Sequence, residues 1–158
     1  MEDGLRPSER LRSLGWTLPS APAPVGSYVP ARVQGDLILV TGQLAFVNGE
    51  ILHPGLLGAE VTPEEGAEAA RVCALNSIAA AAGAAGGVDA VGGVLQIIGF
   101  LATAPDFTAH SAVLNGASDA LAAVFGDEGR HTRSNVGVST LPLRSPIELQ
   151  VTFFVRSV

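Results

Sequence analysis

The stretch "VTPEEGAEAARVCALNSIAAAAGAAGG", Val61 to Gly87, together with "GGVLQIIGFLAT", Gly92 to Thr103, decides the fold. Thr62 can cap a helix, Pro63 suits its first position and Glu65 completes a capping box, so the spacing predicts a helix ending at Gly83 or Gly86. The apolar run that follows has the length of a strand, is rich in β-branched residues and ends near Pro105, which predicts a central buried strand. Asp106 is then placed to cap a second helix, "FTAHSAVLNGASDALAAVF", stopped by Gly126.

On the N-terminal side, "DLILVTGQLAF", Asn48-Gly49 and "EILHPG" read as a strand, a type I′ turn and a short returning strand. Before them "PSAPAPVGSYVPA" reads as an extended arm, because each proline fixes its own φ and pushes its predecessor out of the helical region. Residues 1–20 read as a short helix with Leu11 and Leu14 on one side and Ser8 as its cap.

On the C-terminal side, Ile147, Leu149, Val151, Phe153 and Val155 alternate with Glu148, Gln150, Thr152 and Phe154, the pattern of a strand with one apolar face. Val136 and Val138 give the preceding strand a matching apolar face, leaving Arg133, Asn135, Gly137 and Ser139 on the other. "LPLRSP" reads as a hairpin turn with Leu141 opposite Pro146. The order strand pair, helix, strand, helix, strand pair predicts an α+β fold: a mixed sheet with two helices packed on one face. "GVDAVGGV" follows a helix and precedes a strand, the reverse of a nucleotide-binding loop, and reads as a flexible joint.

With 158 residues and 47% hydrophobic content, the chain can bury one sizeable core in one domain. Its formal net charge of −6 offers no positive field for phosphate backbones or anionic lipid, so neither nucleic acid nor membrane is expected as a partner. All nine basic residues are arginines, which excludes Schiff-base lysine chemistry and a P-loop lysine. The single Cys73 sits in an alanine-rich helical context, unlike a reactive thiolate. His53, His110 and His131 lack metal-ligand spacing, so no metal is expected, and each reads as a solvated or capping histidine. The N-terminus does not read as a signal peptide and no apolar run reaches the ~20 residues of a membrane span, giving cytoplasmic residence as the expectation.

Arg133 at the mouth of its strand is either an edge charge or a carboxylate clamp. In the hairpin pairing, Glu148 lies opposite Ser139 and shares a sheet face with Arg133, at a separation of roughly 20 Å. The two cannot form one site within one chain. If they cooperate, Arg133 of one subunit approaches Glu148 of another.

"RSNVGVSTLPLRSPIELQ", preceded by "VTGQ" and "PVGSYVP", resembles the RidA/YjgF family over about residues 22–156. The resemblance divides the chain into an N-terminal extension with a short helix, residues 1–21, and a RidA-like domain, residues 22–158. It implies a chorismate-mutase-like α/β (α+β) fold, a homotrimer with a barrel-like core and clefts between subunits. In the archetypal members it also implies cofactor-free hydrolysis of enamine and imine acids such as 2-aminoacrylate to a keto acid and ammonia.

The family's carboxylate-binding arginine matches Arg133, and its water-orienting glutamate matches Glu148. The substrate-binding positions match Tyr28, Thr41, Gly42, Asn115 and Asn135. Thr41 stands where the archetype has serine and Asn135 where it has cysteine, which resembles a divergent branch often labelled endoribonuclease-like. Two functions follow as expectations: a 2-imino acid deaminase, or a non-catalytic trimer that binds or senses small carboxylate metabolites. Ribonuclease activity fits the acidic balance poorly.

Overall fold

The computed structural model describes residues 4–20 and 26–157. Its main sheet holds β1 (Ala31–Gln34), β2 (Leu37–Leu44), β5 (Val91–Ala102), β6 (Thr132–Val138) and β7 (Ile147–Val155), in the spatial order β1-β2-β7-β5-β6. β3 (Phe46–Val47) and β4 (Glu50–Ile51) form a separate two-stranded ribbon around Asn48-Gly49, both at positive φ as a type I′ turn requires. Helices α2 (Pro63–Ala85) and α3 (His110–Phe125) cover one face of the main sheet, and α1 (Pro7–Ser13) docks beside α3.

The α2 boundaries follow the sequence signals. Thr62 Oγ1 accepts from the Glu65 amide at 3.2 Å while the Glu65 carboxylate accepts from the Thr62 amide at 2.8 Å. Gly86 ends the helix at φ +89°, a conformation that costs glycine little. Alanines 69, 70, 74 and 81 with Cys73 and Ile78 make its buried stripe. Small side chains bring α2 so close to α3 that a Cβ on Gly116 would overlap the Ala67 carbonyl. Burial pushes the Cys73 thiol well above its ordinary range, and Glu148 adds to the rise, so it is an inert core residue.

β5 is the centre of the C-terminal half, parallel to β6 and antiparallel to β7. The expected hairpin between the last two strands is therefore corrected: β6 and β7 never pair, because β5 lies between them. Strand β5, helix α3 and parallel strand β6 make a crossover unit. The "LPLRSP" segment passes over the end of β5, where the Ala102 amide donates to the Pro146 carbonyl at 2.9 Å. Its tight winding uses positive φ at Leu143 and Arg144.

The faces are equally clear. Ile38, Val40, Ile97, Leu149, Val151 and Phe153 are buried beneath the helices. Val136, expected in the core, is on the opposite, uncovered face and is 46% exposed, as is Leu39 at 49% and Leu95 at 51%.

Three smaller expectations change. Ser8 does not cap α1; its amide and hydroxyl both donate to the Asp89 carboxylate, at 2.9 and 2.8 Å, while Glu9 accepts from the Arg6 amide. Leu11 of α1 enters the common core. Asp106 does not cap α3, which starts at His110, because residues 102–104 stay extended through bonds to Leu57 and the chain then turns to lay Phe107 against Gly58. "GVDAVGGV" is not a joint, since Gly92 and Gly93 belong to β5 and leave room for the Phe154 ring. The start of the proline-spaced arm, residues 21–25, lies outside the described residues, and its end leads into β1.

Candidate functional site

Two half-sites emerge, on opposite faces of the sheet. The first is built by a bulge in β2. Val40 pairs with Val151 and Gln43 with Leu149, so Thr41 and Gly42 together oppose Gln150 alone. Such an extra residue re-aims the local backbone. Here it places Gly42 against Glu148 so closely that a Cβ at position 42 would collide with the Glu148 carboxylate. Asn76 of α2 steadies the end of β2 by donating to the Leu44 and Phe46 carbonyls at 3.0 and 3.2 Å.

Glu148 is half-buried on the uncovered face, and desolvation raises its carboxyl pKa above the ordinary value. Beside it Thr41, Tyr28, Arg32, Leu39 and Gln150 line a cleft of about 500 Å³. Tyr28 is half exposed there.

The second half-site lies on the helix-covered face, at the outer edge. Arg133 on β6 pairs across the ladder with Ile97, a core residue, whereas Glu148 pairs with Phe100 of the uncovered face. The expectation that Arg133 and Glu148 share a face is thus corrected. In one chain they are separated by the sheet itself, two strand widths and three residues along β5, about 10 Å in each direction.

The Arg133 guanidinium is clamped to α3. Its Nη1 donates to Asn115 Oδ1 at 2.8 Å and to Ser118 Oγ at 3.1 Å, and its Nη2 donates to the Ser111 carbonyl at 3.1 Å. Among the described residues Nε has no partner and no carboxylate pairs with the group. Asn135, two residues along β6, stands in the same column.

The geometry therefore gathers the seven residues expected at the site into two sets: Tyr28, Thr41, Gly42 and Glu148 on one face, Arg133, Asn115 and Asn135 on the other. A planar guanidinium held on one edge and open on the other can receive a carboxylate bidentately. A desolvated carboxylate at a bulge can hold a water and carry its proton.

Residues the sequence reading passed over are Ser111 and Ser118. Ser111, Asn115 and Ser118 recur at helical spacing along one face of α3, a polar stripe that the sequence displays. His131, expected to be solvated or a cap, is bonded on both ring nitrogens, to Ser118 Oγ at 2.9 Å and to the Gly129 carbonyl at 2.6 Å. His53 is held by Glu68 at 2.8 Å, and the described residues contain no cluster of three metal-ligating side chains. No helix of the structure is long and apolar enough to cross a membrane.

Comparison with known proteins gives the chain its relatives. The family model described as "YjgF/chorismate mutase-like, putative endoribonuclease" matches residues 8–155, a span that takes in α1. Protein TCP17 of Trypanosoma cruzi is 41% identical over 145 residues, 91% of each chain. The crystal structure of a "putative endoribonuclease" from Shewanella oneidensis superposes with a TM-score of 0.91 at 32% identity, over 95% of this chain and 99% of that one. RidA from an Antarctic Psychrobacter is further off, with a TM-score of 0.60 at 26% identity, over 85% of this chain and 94% of that one. The fold, the family match along nearly the whole chain and these relatives agree: the chain belongs to the RidA/YjgF family.

Proposed function

We propose that the protein is a hydrolytic deaminase of small 2-imino and enamine acids, working in clefts between the subunits of a homotrimer. The observation that carries this reading is the separation of the half-sites. Among the described residues Arg133 has an unused Nε edge and no acidic partner, and Glu148 is desolvated over Gly42 on the other face. Each half is incomplete in its own chain, and a head-to-tail ring supplies its complement. The uncovered sheet face, with Leu39, Leu95 and Val136 exposed, is the apolar kind of surface that subunits bury.

In this site Arg133 holds the substrate carboxylate, oriented by Asn115, while Tyr28 and Thr41 wall the cleft. The enamine tautomerises to the imine. Glu148 of the adjoining subunit then positions a water and takes its proton as the new C–O bond forms. The C=N π pair moves to nitrogen, which receives that proton. The resulting carbinolamine collapses to the 2-keto acid and releases ammonia. The bulge at Thr41-Gly42 lets the Glu148 carboxylate lie against the backbone beside the reacting carbon.

The test uses 2-aminoacrylate generated in situ by a serine dehydratase. Wild-type protein accelerates keto acid and ammonia release, and Arg133→Ala abolishes the acceleration; equal acceleration by the variant, or none by wild type, overturns the proposal. Asn135, in place of the archetypal cysteine in the Arg133 column, favours the second reading, a carboxylate binder without turnover. That reading predicts saturable, Arg133-dependent binding of a 2-keto acid with no acceleration of decay.

A further inference from the structure

Arg133 does not stand on α3 alone. Behind it runs a chain of hydrogen bonds whose direction chemistry dictates. The Gly129 carbonyl only accepts, so His131 Nδ1 carries the proton in their 2.6 Å bond. In the neutral ring Nε2 is then an acceptor, and the Ser118 hydroxyl, 2.9 Å away, donates to it. The lone pairs of the Ser118 oxygen are thereby left for Arg133 Nη1, at 3.1 Å.

This arrangement fixes the guanidinium plane from the side opposite its open edge. It also tolerates a second state. With His131 protonated, Nδ1 still donates to Gly129, Nε2–H donates to the Ser118 oxygen, and the serine O–H turns away. Both His131 nitrogens and Arg133 Nη1 keep their partners and only the serine O–H gives up its acceptor, but a positive charge now lies two hydrogen bonds from the guanidinium.

We infer that Ser118 and His131 are positioning residues for Arg133, and that a carboxylate bound at Arg133 is taken up together with a proton on His131. The inference rests on the proposed role of Arg133 and adds a regulation of that site. Arg133 repels the imidazolium in the free protein. A bound carboxylate neutralises that repulsion, so ligand and proton favour each other reciprocally. The sign follows: affinity for the anion rises as pH falls through the His131 titration. Across two hydrogen bonds near a surface the effect is about 3- to 10-fold.

The other charged and titratable groups around His131 do not reverse this. Asp127 and Arg130 on the preceding turn are strongly exposed and pair with each other at 3.5 Å. Glu128 is on the same exposed turn, and Asp119 neighbours Ser118 on α3. His110, the first residue of α3, lies against Gly137 further along β6 and edge-on to Phe107.

The experiment is a proton NMR titration of the intact protein, between pH 5 and 8, with and without saturating 2-oxobutanoate. Three histidines make the assignment tractable, and His53, held by Glu65 and Glu68, is the internal control. The expected result is an upward move of the His131 midpoint by about 0.5 to 1 unit on ligand binding. The move is absent in Arg133→Ala, and keto acid affinity loses this pH dependence in His131→Gln. Ser118→Ala weakens binding by about 5-fold and Ser118→Thr restores it, a rescue that a general loss of packing does not give. If binding depends on Arg133 yet the His131 midpoint stays fixed, the inference falls and the site reading stands. If keto acid binding does not depend on Arg133, both fall.

Discussion

Glu148 is held in a state that water alone would not favour: half-buried, with its carboxyl pKa raised by desolvation, over a glycine that leaves it room. A carboxyl whose folded pKa is raised favours the fold in its neutral form. That stability is present below the ordinary value of 4.5 and is lost as pH rises through the folded value. Glu148→Gln is therefore expected to raise the melting temperature at pH 7, with the gain vanishing near pH 4, while removing the proposed deaminase activity. A melting temperature that falls at neutral pH contradicts this. Stability gained as activity is lost is the pattern of a group strained for function. Arg133, Gly42 and Glu148 were legible in the sequence through their family resemblance. The bulge that joins Thr41 and Gly42 to Glu148 was not, because a β-bulge leaves no periodic trace in a single strand. Ser111 and Ser118 escaped for a related reason: the polar stripe of α3 acquires meaning only once α3 is known to lie over β6.

Among the elements, α2 was the most legible, since its capping box, its leading proline and its closing glycine act within a few residues of chain. α3 was displaced at its start because the bonds of residues 102–104 to Leu57, distant in sequence, override the local capping preference of Asp106. The pairing of β6 with β7 was misread because a short, proline-containing connection suggests a hairpin, whereas strand β5 followed by helix α3 demands a parallel neighbour. That error carried the face of Arg133 with it. The small-residue contact between the helices has its own test. Gly116→Ala gains helix propensity worth roughly 1 kcal/mol but forces a Cβ into the Ala67 carbonyl. A net loss of about 1–3 kcal/mol is expected in denaturant unfolding, and a stabilised variant contradicts the close crossing.

For the whole molecule, opposite-faced half-sites give the proposed trimer an arithmetic. A cleft works when its arginine and its glutamate come from two competent neighbours. Arg133→Ala and Glu148→Gln, each inactive alone, are expected on equal co-assembly to regain about a quarter of wild-type activity, because one cleft in four combines the intact halves. No recovery, after mass spectrometry has verified mixed trimers, contradicts a shared cleft. The helix-covered face and most of the core were within reach of composition and periodicity, whereas the sheet order was not, because β5 separates β6 from β7. The assembly was not, since nothing in a chain's own pattern says which face another copy will cover; that expectation came from resemblance. The docking of α1 has a practical consequence. The only tryptophan, Trp16, follows this helix, bonds back to the Leu11 carbonyl at 2.9 Å and lies 5.6 Å under the Arg71 guanidinium, while the only tyrosine, Tyr28, lines the cleft. The chain thus carries two native fluorophores at separate addresses: selective excitation of the indole reports the seating of α1, and the phenol reports the cleft, with no label attached.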